Sequence, residues 1–93
     1  MPTASRDVVI SNKLGLHARP AMQFVELANQ FSSRVQVQSL AGENVCADGK
    51  SIMQMMILAA VEGTPLRIVA EGPDAEPAVE KLAALINDKF GEE

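Results

Sequence analysis

The chain has 93 residues, enough for one domain whose core can fold alone, and a single domain over residues 1–93 is expected. Its formal charge of −4 is uneven: residues 1–50 carry five basic and four acidic groups, residues 51–93 three basic and eight acidic, and the only aromatics are three phenylalanines. That excludes the basic face and stacking side chains of a nucleic-acid binder, and a protein partner or a small anion suits the chain better.

Cys46 is the only cysteine, so no intramolecular disulfide can form, and neither it nor His17, the only histidine, has paired metal ligands. No metal or cofactor is therefore expected. Met1 to Asp7 lack the apolar core of a signal peptide, and no later apolar run approaches membrane-spanning length. The expected setting is a reducing cytoplasm, without membrane insertion.

Asp7 to Ser11, with β-branched Val8, Val9 and Ile10, has the composition of a strand ended by Asn12. From Ala18 onward, Ala21, Phe24, Val25, Ala28 and Phe31 recur at helical spacing, while Gln23, Glu26 and Gln30 fall on another face. This predicts an amphipathic helix broken by Ser32 and Ser33. Met22 belongs to neither face and is expected beside the preceding loop, as part of a docking surface.

Arg34-Val35-Gln36-Val37-Gln38 alternates as a half-buried strand does, Ala41 to Asn44 turns the chain, and Val45 to Ala47 completes a hairpin. Cys46 then reads as a small strand residue with no redox task. Asp48-Gly49-Lys50 is a turn, and Ser51 is suited to cap a helix running to Leu58 or Ala59. Ile52, Met53, Met55, Met56, Ile57 and Leu58 leave only Gln54 to face water, and so small a domain cannot bury a helix that is apolar on nearly every side. Some of these side chains should form an exposed apolar patch.

Leu66 to Ala70 resumes strand character, and Asp74 is expected to cap the last helix. Ala78, Val79, Leu82, Ile86 and Phe90 form its buried stripe, broadened by Leu85, with Lys89 in the final turn and Gly91 as the stop. The order strand, helix, strand, strand, helix, strand, helix suits a two-layer α+β domain. Its sheet should be mostly antiparallel, with the helices on one face.

The stretch Leu14-Gly15-Leu16-His17-Ala18-Arg19-Pro20-Ala21 carries the chemistry. Gly15 supports a tight turn and Pro20 suits a first helical turn, which puts His17 near an N-cap. There the N–H groups of Ala18, Arg19 and Ala21, but not of Pro20, are expected to point outward, and the helix dipole favours negative charge. Arg19 adds a guanidinium suited to phosphate oxygens, Lys13 lies four residues before the imidazole, and no acidic residue intervenes between Asp7 and Glu26. A neutral imidazole at an anion-binding helix start reads most simply as a histidine that accepts and hands on a phosphoryl group.

The run Gly15-Leu16-His17-Ala18-Arg19-Pro20-Ala21 resembles the active-site signature of the histidine-containing phosphocarrier (HPr) family of the bacterial phosphotransferase system. Gly49-Lys50-Ser51-Ile52-Met53 resembles the regulatory serine segment of the same family, at a comparable distance downstream. The resemblance covers essentially the whole chain. It implies an open-faced β-sandwich, a four-stranded antiparallel sheet covered on one face by three helices in the order βαββαβα.

It also implies that His17 takes a phosphoryl group on Nδ1 from enzyme I and gives it to enzyme IIA domains, with Arg19 assisting and the backbone of Ala18 and Arg19 holding the phosphoryl oxygens. Such a chain is a monomeric relay rather than a stand-alone enzyme. Ile52, Met53 and Met56 would be docking residues, joining Met22 from the helix pattern, and Ser51 a regulatory phosphorylation site for the family's HPr kinase/phosphorylase. Gln54 stands where the family often has a smaller residue, and the loop at residues 39–49 looks longer than in familiar members. The sequence leaves open both sugar uptake and the nitrogen-related regulatory branch, in which the carrier acts mainly by phosphorylation-dependent binding. A phosphorylation-signalled docking protein and a domain that holds an anion without transferring it are the readings from other classes.

Overall fold

The computed structural model describes residues 2–42, 45–58 and 60–91. The elements are β1 (Thr3–Val9), α1 (Ala18–Ala28), β2 (Arg34–Ser39), β3 (Cys46–Asp48), α2 (Ile52–Ile57), β4 (Pro65–Glu71) and α3 (Ala75–Asn87), with a single 3₁₀ turn at Lys89–Gly91. All pairings are antiparallel and the strand order is β1-β4-β2-β3. This is the expected fold class.

The sheet shows why one face is covered and the other open. Ala4, Val8, Val35, Val37, Ala47, Leu66, Ile68 and Ala70 alternate along their strands and are all buried, because successive side chains point to opposite faces. Against them lie Ala21, Phe24, Val25 and Ala28 of α1, Met55 of α2, and Ala78, Val79, Leu82 and Ile86 of α3. Phe24 and Leu82 are fully buried, each such side chain stabilising the fold by roughly 1.5–3 kcal/mol. On the open face Arg67 of β4 pairs with Asp7 of β1 through two hydrogen bonds of 2.7 and 3.1 Å, and they hold the Asp7 carboxyl below its ordinary pKa. Cys46 is exposed on this face.

Several boundaries differ from the sequence reading. β1 starts at Thr3 rather than Asp7, because Thr3 to Arg6 pair in register with Glu71 to Ile68. The second hairpin strand begins at Cys46, leaving Val45 outside it, and Glu43 and Asn44 of the expected turn lie outside the described residues, as does Ala59 at the expected end of α2. α1 ends at Ala28, so Phe31 packs against the core from the following loop and not from the helix. α3 ends at Asn87, and Lys89 and Phe90 both take φ +56°, a left-handed conformation that returns the Phe90 ring to the core. Lys89 is thus beyond the helix, not in its final turn.

Asp74 occupies the N-cap position of α3 but makes no side-chain cap bond. Its carboxylate instead accepts the N–H groups of Ser32 and Ser33, each at 2.9 Å, and the Ser33 hydroxyl. The turn after β4 and the loop after α1 approach closely here. A Cβ on Gly72, which has φ +149°, would lie 2.7 Å from Ser33 Cα. The carboxylate is spent across the chain because two backbone donors and a hydroxyl converge on it there.

Candidate functional site

The loop between β1 and α1 is built against the segment between α2 and β4. The Ile10 N–H donates to the Thr64 carbonyl at 3.0 Å, and the Gly63 N–H to the Ile10 carbonyl at 2.7 Å. The buried Asn12 then donates from Nδ2 to the Gly15 carbonyl at 2.8 Å, while the Gly15 N–H donates to the Asn12 carbonyl at 3.1 Å. Leu16, also buried, donates its N–H to the Ala60 carbonyl at 2.8 Å. Gly15 has φ +69°, and a Cβ there would sit 2.5 Å from the Ala60 carbonyl oxygen and 2.8 Å from Val61 Cα. Conformation and space both require glycine at this point.

That loop fixes His17 as the N-cap of α1, with extended backbone angles of φ −86° and ψ −170°. Its imidazole is half-exposed and does not cap the helix. The His17 carbonyl accepts the Ala21 N–H at 3.0 Å. Ala21 therefore closes the first intrahelical bond and does not point outward, a correction to the sequence reading. With Pro20 lacking an N–H, the donors left by the first turn are those of Ala18 and Arg19. Arg19 is exposed, and no acidic residue stands in that turn.

The second motif is carried by α2, which packs against α1. Ser51 caps it, its hydroxyl accepting the Gln54 N–H at 3.2 Å. The Gln54 side chain reaches past Ser51, Oε1 accepting the Asp48 N–H at 2.8 Å, so its extra length ties the start of α2 to the end of β3. Lys50 Nζ donates to the Phe31 carbonyl at 2.7 Å, which joins the same turn to the loop after α1.

The exposed apolar patch exists. Met55 and Leu58 are buried, whereas Ile52, Met53, Met56 and Ile57 of α2 and Met22 of α1 are exposed. Leu14 and Val61, exposed on the two segments that meet at Gly15, extend the apolar surface beside the His17 loop. The sequence reading names Ile57 among the candidates for this patch, but not Leu14 or Val61. Ile57 stands at i,i+4 spacing to Met53 and is legible locally, whereas Leu14 and Val61 are not, because only the contact at Gly15 brings their segments together. Among the described residues no group of three His, Cys, Asp or Glu side chains could hold a metal ion, and no helix is long and apolar enough to cross a membrane.

The family model described as PTS HPr component phosphorylation site matches residues 4–88. The phosphocarrier protein HPr of Pseudomonas aeruginosa is 46% identical over 88 residues, covering 92% of this chain and 93% of that protein. A multiphosphoryl transfer protein of Haemophilus influenzae is 40% identical over 83 residues, which are 89% of this chain but 17% of that protein. The crystal structure of an HPr from Thermoanaerobacter tengcongensis superposes with a TM-score of 0.88 at 43% identity, covering 97% of this chain and 98% of the other. With its sheet order, its helix layer and almost its whole length matched, the chain belongs to the HPr family of phosphocarriers of the phosphotransferase system.

Proposed function

We propose that His17 accepts a phosphoryl group from phospho-enzyme I and passes it to enzyme IIA domains in sugar uptake, as a cytoplasmic monomer that needs no metal or cofactor. The observation that carries this reading is the seating of the chain's only imidazole at the N-cap of an 11-residue helix whose first turn holds no carboxylate. The Nδ1 lone pair attacks phosphorus as the bond to the donor breaks, and the reverse exchange delivers the group to the acceptor. The N–H groups of Ala18 and Arg19 and the Arg19 guanidinium stabilise the charge on the transferred oxygens. Peptide donors already fixed by the helix need no reorganisation during transfer. Incubation with enzyme I and phosphoenolpyruvate should give an acid-labile adduct by intact mass, absent from His17→Ala; an adduct on that variant would overturn the assignment.

Partners dock, in this reading, on Met22, Ile52, Met53 and Met56, and Ser51 is the site at which the HPr kinase/phosphorylase would regulate them. A phosphate on Ser51 adds about −1.5 to −2 charges beside Ile52 and Met53, opposing an apolar or acidic docking face while leaving the imidazole untouched. Phosphorylated Ser51 protein should therefore gain phosphate on His17 more slowly than unmodified protein, and equal rates would reject the regulatory role.

A further inference from the structure

We propose that Met22, Met53 and Met56 form a reversible oxidation site that uncouples the carrier from its partners. The inference rests on the reading that the exposed face of α2 and Met22 dock those partners. Met53 is 73% exposed, Met22 46% and Met56 45%, whereas Met55, on the same short helix, is 1% exposed and part of the core. One helix thus presents two methionines to solvent and shields a third. Hydrogen peroxide is the co-reactant: the sulfur lone pair attacks one peroxide oxygen, the S–O bond forms as the O–O bond breaks, and the departing hydroxide takes the proton of the sulfur-bound hydroxyl, leaving the sulfoxide and water. Sulfur is oxidised by two electrons and the peroxide is reduced. A methionine sulfoxide reductase with a dithiol reductant reverses the step, yielding the thioether, a disulfide and water.

The sulfoxide turns a flexible apolar side chain into a polar one at the position where the docking face is most apolar. Since none of the three side chains lies in the core, the fold should tolerate the change. Ser51 keeps its cap bond to the Gln54 N–H, and Met55 keeps its packing.

The test uses the full chain carrying Cys46→Ser, which removes the exposed thiol as a competing target. Peroxide-treated protein is mapped by peptide mass spectrometry, checked by thermal melting, and assayed with enzyme I and phosphoenolpyruvate at low carrier concentration. Oxidation at residues 22, 53 and 56 should precede that at Met55 with the melting temperature retained. The transfer rate should fall about tenfold, since an unsatisfied polar group is carried into the interface, and reductase treatment should restore it. In a Met22→Leu, Met53→Leu, Met56→Leu protein, whatever its starting rate, the ratio of treated to untreated rates should stay near one.

A rate loss that tracks Met55 oxidation or unfolding, or that persists in the leucine variant, overturns the proposal. Met53→Glu separates the two readings. If it slows transfer while the oxidised protein is unimpaired, docking stands and the oxidation site falls; if neither slows transfer, the docking reading falls and takes this one with it.

Discussion

The first turns of α1 and α3 begin helices of 11 and 13 residues, yet their local chemistry is opposite. α1 opens on an imidazole, with Arg19 exposed and no carboxylate in its first turn. α3 opens on Asp74 and Glu76, and both are already engaged, Asp74 with Ser32 and Ser33 and Glu76 with Arg6 at 2.7 Å. Both helices offer the same partial positive charge. On the function proposed for His17, what separates the two starts is whether the chain has supplied its own carboxylates.

The strongest way to break this contrast is Arg19→Glu, which gives α1 the first-turn charge of α3. Phosphoryl transfer from enzyme I should slow about 100-fold, and about 10-fold in Arg19→Ala, where only the guanidinium is lost. Equal rates in the two variants, measured by single-turnover phosphorylation, would show that the added carboxylate does not matter. Gly15→Ala strikes the loop that seats His17. A strained φ and a 2.5 Å clash with the Ala60 carbonyl should destabilise the fold by about 2 kcal/mol in urea unfolding, and slow transfer as the N-cap shifts.

Asp74→Asn sharpens the other side. Hydrogen bonds from the Ser33 hydroxyl and then the Ser32 N–H hold the Asp74 carboxyl below its ordinary value of 3.8. A carboxyl whose pKa is lower in the folded than in the unfolded state contributes stability fully above the unfolded value, and loses it as pH falls through the folded one. Urea midpoints of wild type and Asp74→Asn should therefore differ at neutral pH and converge below pH 3.8. A gap that stays constant into strong acid would mean that the charge is not what matters. The smallest effect is expected for Arg6→Gln, whose exposed pairs with Glu76 and Glu80 should contribute about 0.5 kcal/mol or less.

The two helix starts were not equally legible in the sequence. That of α1 was, apart from the inward Ala21 N–H, because Gly15, His17, Arg19 and Pro20 lie within six residues and act locally. The Ala60 carbonyl that makes Gly15 obligatory is 45 positions away and leaves no local trace. Asp74 was placed correctly as an N-cap residue, but its bonding was misjudged because the competing donors, Ser32 and Ser33, arrive from another loop. The early start of β1 was hidden for a similar reason. Thr3 to Arg6 have weak strand character, and pairing with β4 overrides it. Met55 and Met56 show the limit inside a single helix: adjacent and identical in type, one is core and the other surface.

The strand order has a consequence for biosynthesis. β1 is an edge strand whose sheet partner is β4, with Thr3 paired to Glu71. Since β4 also separates β1 from the β2–β3 hairpin, β1 has no sheet to join on a ribosome until residues 65–71 have been made. The Gly15 loop must likewise wait for the Ala60 carbonyl. The segment bearing the imidazole is thus translated well before the residue that seats it, a delay that follows from closing so long a stretch of sequence. A truncated nascent chain can hold the entire His17 motif without the architecture that makes an N-cap of it.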